Sequence, residues 1–173
     1  MKKYVINGKE FNSDDSASIL AEIKIIKQKE VGDRILEDLI VIFKHTYDFK
    51  LLDGIALLFA DASNKEVIKV LVDKIVELKD SGHTSTLIYA CSEYDCAEYI
   101  LIFAELLLYF EDSNVDEVFA VMTEIKAPIQ LSDKILIQSK FEKYFISNKD
   151  IGSRKRKYIK NTIELLDGMK VCE

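Results

Sequence analysis

From about residue 13 onward, apolar residues recur along the chain at the three- and four-residue spacing of amphipathic α-helices. The first twelve residues differ. Tyr4-Val5-Ile6 and Lys9-Glu10-Phe11 flank Asn7-Gly8, which supplies the positive φ angles of a type I′ turn, so a small β-hairpin is predicted over residues 1–12. Ser13 then predicts the cap of a first helix reaching about Glu30, with Asp14 and Asp15 in its first turn and Ile19, Ile23 and Ile26 as its apolar stripe. Gly32 breaks it. Asp33 opens a second helix through Leu36, Leu39, Ile40 and Phe43, and a third runs from about Asp48 to Ala62.

Asn64 predicts the cap of a fourth helix to about Lys79, stopped by Ser81-Gly82. Glu66, Lys69, Asp73, Glu77 and Asp80 fall on one face of it. Val67, Ile68, Leu71, Val72, Ile75, Val76 and Leu78 fill the rest. A short fifth helix holds Leu87, Ile88 and Tyr89. Asp95 caps a sixth, with Glu98 as its capping-box partner. Ser113-Asn114 opens a seventh, ended near Ala127-Pro128, and Ser132 caps an eighth to about Ser147. A last helix follows Gly152.

Helices joined by short loops invite a search for repeats. Laying Asn64 on Asp95 superposes apolar on apolar at seven positions, from Leu57 on Ile88 to Val76 on Leu107. The expectation is an all-α fold of one domain over residues 1–173, an α-solenoid of helical hairpins with its clearest repeats over 48–147. In the same alignment Glu66, Lys69, Asp73 and Glu77 fall on Ala97, Ile100, Ala104 and Leu108. The sixth helix is therefore either a central helix covered on all sides or the bearer of an apolar recognition patch rimmed by Glu98 and Glu105, with Asp112 continuing the acidic step.

Charge sharpens the picture. Residues 1–50 are balanced, residues 51–130 carry five basic and 15 acidic residues, and residues 131–173 carry ten basic and six acidic. An acidic middle repels phosphate backbones and attracts cationic partners. Arg154-Lys155-Arg156-Lys157 reads as a solvated basic end rather than a nucleic-acid contact. The longest apolar run, Tyr99 to Phe110, has 12 residues including Glu105, well short of the roughly 20 that a spanning helix needs. No apolar stretch of signal length follows Lys2-Lys3, and the three cysteines suit no disulfide framework, so a cytoplasmic protein with reduced thiols is expected.

No catalytic arrangement emerges. His45 and His83 stand far apart, Cys91 and Cys96 lack the second pair of a zinc site, and the six glycines are isolated, so no enzyme activity, cofactor or metal is expected. Gly54, inside the third helix, is read as permitting close helix packing.

The stretch Ile55 to Leu78, with Ala-Leu-Leu-Phe-Ala-Asp at 56–61 before a short loop and an aliphatic helix, resembles a HEAT-type repeat. Residues 82–96, Gly-His-Thr-Ser-Thr-Leu-Ile-Tyr-Ala-Cys-Ser-Glu-Tyr-Asp-Cys, look like a stretch of small bacterial HEAT-like proteins, several of which resemble immunity proteins that neutralise a cognate toxin. Lys3-Tyr4-Val5-Ile6-Asn7-Gly8-Lys9 is also similar to the first strand of barstar-type nuclease inhibitors, a likeness that ends by about residue 30. HEAT-like DNA glycosylases share the architecture but use a basic concave surface, opposite in sign to the acidic centre here. The resemblance implies a non-enzymatic immunity protein that binds a basic toxin domain; the alternative is a scaffold or adaptor binding a peptide segment. Neither reading calls for nucleic acid or a membrane as partner. The expected contacts are Glu66, Asp73, Glu77, Glu98 and Glu105, with Glu93 and Tyr94 in the loop before the sixth helix.

Overall fold

A computed structural model describes residues 3–26, 32–62, 64–111 and 114–172. It is mostly helical, with a small antiparallel hairpin at its start, as the pattern predicts. The chain gathers into two compact units, residues 1–90 and 91–173.

In the first unit, β1 (Lys3–Ile6) pairs with β2 (Lys9–Asn12), placing Ile6 opposite Lys9 and Tyr4 opposite Phe11. Asn7 and Gly8 take φ angles of 51° and 78°, the left-handed pair that the turn requires. The Asp38 carboxylate accepts the Asn7 amide at 3.1 Å and so anchors the hairpin. Pairing continues to Asn12, which leaves Ser13 and Asp14 to a turn, and α1 (Ser16–Ile26) starts later than Ser13 predicts. Asp15 does the capping, its carboxylate accepting from the Ser18 amide at 3.0 Å. The predicted end near Glu30 lies outside the described residues.

Three helices follow with bounds close to those expected: α2 (Asp33–His45), α3 (Phe49–Ala60) and α4 (Lys65–Leu78). Asp48 accepts from the Lys50 and Leu51 amides, and Asn64 accepts from Glu66. A single 3-10 turn, Lys79–Ser81, ends at Gly82 with φ 73°, and α5 (Ser85–Cys91) comes next. α1 packs on α3 at Gly54, where an added Cβ would lie 3.2 Å from the tip of Leu20. α2 packs on β1, α3 and α4, and the Phe43 and Phe59 rings meet at 5.2 Å in the core.

In the second unit a 3-10 turn, Ala97–Tyr99, precedes α6 (Ile100–Tyr109), so the regular helix starts later than Asp95 predicts. Asp95 still accepts from the Ala97 amide at 3.2 Å. Its other oxygen takes the Lys126 amide at 3.2 Å and the Ala127 amide at 2.7 Å. α7 (Val115–Thr123) follows Asn114, which adopts the left-handed conformation at φ 63°; Ser113 and Asp112 lie outside the described residues. The helix ends before Ala127-Pro128. Ile129 and Gln130 instead form β3 (Ile129–Gln130), paired in parallel with β4 (Val171–Cys172).

That pairing moves the start of α8 (Leu131–Ser147) ahead of Ser132, which lies in its first turn and is not its cap. α9 (Ser153–Gly168) follows. α6 packs on α7 and α8, and α9 on the same two helices. Ile100 and Ala104 are each 1% exposed and belong to the core, while Ala97 and Leu108 on the same face are half-buried.

Candidate protein-binding surface

The solvated face of α4 forms as its periodicity predicts. Glu66, Lys69, Asp73 and Glu77 are exposed, while Val67, Leu71, Val72 and Ile75 are buried. One residue departs from the expectation, and a lysine takes an inward place. Val76 falls on the outward stripe between Asp73 and Asp80 and is exposed. Lys74 falls on the inward stripe with Val67, Leu71 and Leu78 and is only 3% exposed.

A buried ammonium persists only where acceptors replace its water. Lys74 has three partners. Its Nζ donates to the Lys44 carbonyl in the last turn of α2 at 3.1 Å, pairs with Glu77 at 2.8 Å, and lies 4.7 Å from the centroid of the Tyr47 ring. Tyr47 completes the set by donating its hydroxyl to the other Glu77 oxygen. Lys74 first, then the Tyr47 hydroxyl, hold the Glu77 carboxyl below its ordinary range. The same carboxylate raises the Tyr47 phenol.

Tyr47 lies in the three-residue link between α2 and α3 and is 63% exposed, although its ring and hydroxyl are both tied down. The link itself is short and bonded: Thr46 donates its amide to Ile42 at 2.9 Å, and Asp48 donates its amide to the Thr46 hydroxyl at 3.1 Å. A rigid, outward aromatic beside carboxylates has the profile of an interface anchor. Asp73 pairs with Lys69 at 2.6 Å, one turn apart on the surface, where such pairs contribute little to stability. Glu66 lies in the first turn of α4, on the side the helix dipole favours.

The remaining candidate residues belong to the second unit. Glu93 and Glu98 are exposed. Tyr94 is not at the surface: at 8% exposure it belongs to the core, which overturns its reading as a loop contact. Its loop is folded inward by the Tyr94 amide donating to the Cys91 carbonyl at 3.1 Å and by buried Cys96. Glu105 is exposed and paired with Lys140 at 2.8 Å. That pair stands at one side of a shallow cavity of about 450 Å³, floored by Leu108, Tyr109 and Tyr144. The seven predicted contacts therefore divide, three on α4 and four in the second unit.

The basic run at the start of α9 is largely consumed within the fold. Arg154 pairs with Asp116, and Lys155, 5% exposed, donates to the Leu108 carbonyl at 2.5 Å beneath the Tyr144 ring. Arg156 donates to the Lys149 carbonyl at 3.2 Å. The expectation of a solvated basic end is corrected for Lys155, which is buried; Arg154 and Lys157 are exposed.

His83 and the two buried cysteines are held by contacts within the fold. His83 stacks on Phe49 at 4.0 Å. Cys91 and Cys96 are fully buried, and Cys96 donates to the Cys91 carbonyl at 3.3 Å. The neighbouring Cys96 thiol, then burial, push Cys91 well above the thiol range, which suppresses the reactive thiolate. Among the described residues, no group of three or more His, Cys, Asp or Glu could hold a metal ion, and no helix is long and apolar enough to cross a membrane. No protein-family model, no curated protein and no solved structure matches this chain.

Proposed function

We propose that this chain is a non-enzymatic inhibitor of the immunity-protein type, which binds a basic toxin domain in the cytoplasm through the acidic face of α4. The observation that carries the reading is the outward row Glu66, Asp73 and Glu77 beside an immobilised, exposed Tyr47. Such a surface steers a cationic partner by its field and then holds it by a ring that loses little freedom on binding. The solenoid arrangement of HEAT-like hairpins belongs to the same proposal. In its favour, α2 packs on both α3 and α4, and α6 on both α7 and α8, as helices do when hairpins stack.

Affinity capture from the native cells, followed by association rates at several salt concentrations, tests the reading. The expected result is one basic protein domain whose association slows as salt rises. Glu66→Lys with Asp73→Lys should slow association several-fold without loss of fold. Glu77 is unsuitable for such a reversal, because a lysine there would face buried Lys74. An unchanged association rate in the double variant at low salt would sink the acidic-face reading. The adaptor alternative has its own observation, the apolar-floored cavity between α6 and α8, and predicts weak binding of short apolar segments there.

A further inference from the structure

We infer that the cavity beside Lys155, where the ends of α6 and α8 meet the start of α9, is a binding site for a small organic carboxylate with an apolar body. This goes beyond the inhibitor reading and does not rest on it. Lys155 is built like Lys74 with one part fewer. Both are buried, both donate to a carbonyl in the last turn of another helix, and both lie near a tyrosine ring, at 4.7 Å for Lys74 and 5.0 Å for Lys155. Lys74 also has the Glu77 carboxylate at 2.8 Å. Among the described residues, no carboxylate pairs with Lys155. The end of α6 supplies only about half a negative charge, and Lys155 itself stands in the first turn of α9, where the dipole is positive. A buried ammonium so placed is left largely uncompensated, which is costly.

The surroundings select the occupant. Lys155 lines a cavity of about 420 Å³ together with Tyr144, Ser147 and Gly152. Gly152 gives α9 no side-chain cap, so an anion there would meet first-turn amides as well as the ammonium. Glu111 and Asp150 line the same cavity, both exposed and neither paired with Lys155. They repel a doubly charged phosphate more than a single carboxylate, so the smaller charge is the better match. Tyr144 and Ser147 also bound the neighbouring cavity of about 450 Å³, whose floor includes Leu108 and Tyr109. Glu105 and Lys140 at its side already pair with each other and favour neither sign. A ligand with its carboxylate at Lys155 would therefore lay an alkyl or aromatic body against that apolar floor.

The test titrates the full chain at low salt with phenylbutanoate, its neutral amide and inorganic phosphate, and follows the backbone amide resonances. Phenylbutanoate should bind about ten-fold more tightly than the amide, the worth of one charge-assisted hydrogen bond, and more tightly than phosphate. The largest shifts should fall at Leu108, Tyr144 and Lys155. Lys155→Met, which keeps an unbranched apolar stem and removes the ammonium, should bring the acid down to the affinity of the amide. Lys157→Gln, which removes an exposed charge two residues on, should keep the preference. Melting curves check that both variants fold. Should Lys155→Met not fold, the parent chain decides through its ratio of acid to amide and the position of the shifts. Equal binding of acid and amide, shifts centred away from Lys155, or a preference that survives in folded Lys155→Met would each overturn the inference. So would phosphate binding more tightly than phenylbutanoate, or no binding of phenylbutanoate at all.

Discussion

α4 and α6 are alike on one side and opposite on the other. At the 31-residue offset, Val72 and Ile75 of α4 fall on Phe103 and Leu106 of α6, and all four are buried. Beyond that shared face, Asp73 is exposed where Ala104 is buried, and Lys69 is exposed where Ile100 is buried. α6 has α7 and α8 packed on it, and its one charged residue, Glu105, pairs with Lys140 of α8. α4 keeps an outward face and fills it with charge. The inward residues make each helix part of a core; the outward residues record how many neighbours it has. Each helix also adjoins a buried lysine that satisfies the carbonyls at a helix end. Lys74 of α4 serves the end of α2, and Lys155 of α9 serves the end of α6.

The comparison breaks most directly by exchanging its aligned residues. Ala104→Asp places an uncompensated charge in the core and should cost about 3–5 kcal/mol, whereas Asp73→Ala should stay within about 0.5 kcal/mol. Urea unfolding measures both, and similar costs would show that the two faces do not differ as described. Next in size, Phe103→Ala and Leu107→Ala should each lose about 2–5 kcal/mol, as cavity-forming changes do. A loss below about 1 kcal/mol at both would remove α6 from the centre of its unit. Lys155→Ala should cost about 1.5–3 kcal/mol, because the Leu108 carbonyl loses a charged donor.

The smallest effect concerns pH. The folded Glu77 carboxyl lies below its ordinary value of 4.5, so its contribution is complete above that value and fades as pH falls through the lower, folded one. The melting temperatures of the parent chain and Glu77→Gln, followed from about pH 6 to about pH 3, should differ by a constant amount at first and then converge. A gap that persists at the acid end would show that the Glu77 charge is not what separates them.

Much of this was legible in the residue pattern, and the failures have physical causes. Hairpin, caps at Asp48 and Asn64, and the two faces of α4 follow from local rules that act within a few residues. Ser13 lost the first cap to Asp15 because strand pairing, a non-local event, ran on to Asn12. β3 and β4 are two residues each and meet across some forty residues, too short to leave a periodic signal. The predicted surface included a tyrosine that the structure buries. Tyr94 has acidic neighbours in sequence but turns inward, while Tyr47 sits in an inconspicuous link after His45. One signal was available: Lys74 interrupts the stripe Val67, Leu71, Leu78, and a lysine in an inward stripe requires partners nearby. Which partners, no spacing rule could name.

Asp95 ties two events together in time. One carboxylate holds the amide of Ala97 at the approach to α6 and the amides of Lys126 and Ala127 beyond α7. Neither segment can fray without releasing a share of the same group. Amide exchange at these three positions should therefore run on a common clock, and Asp95→Ala should give each its own.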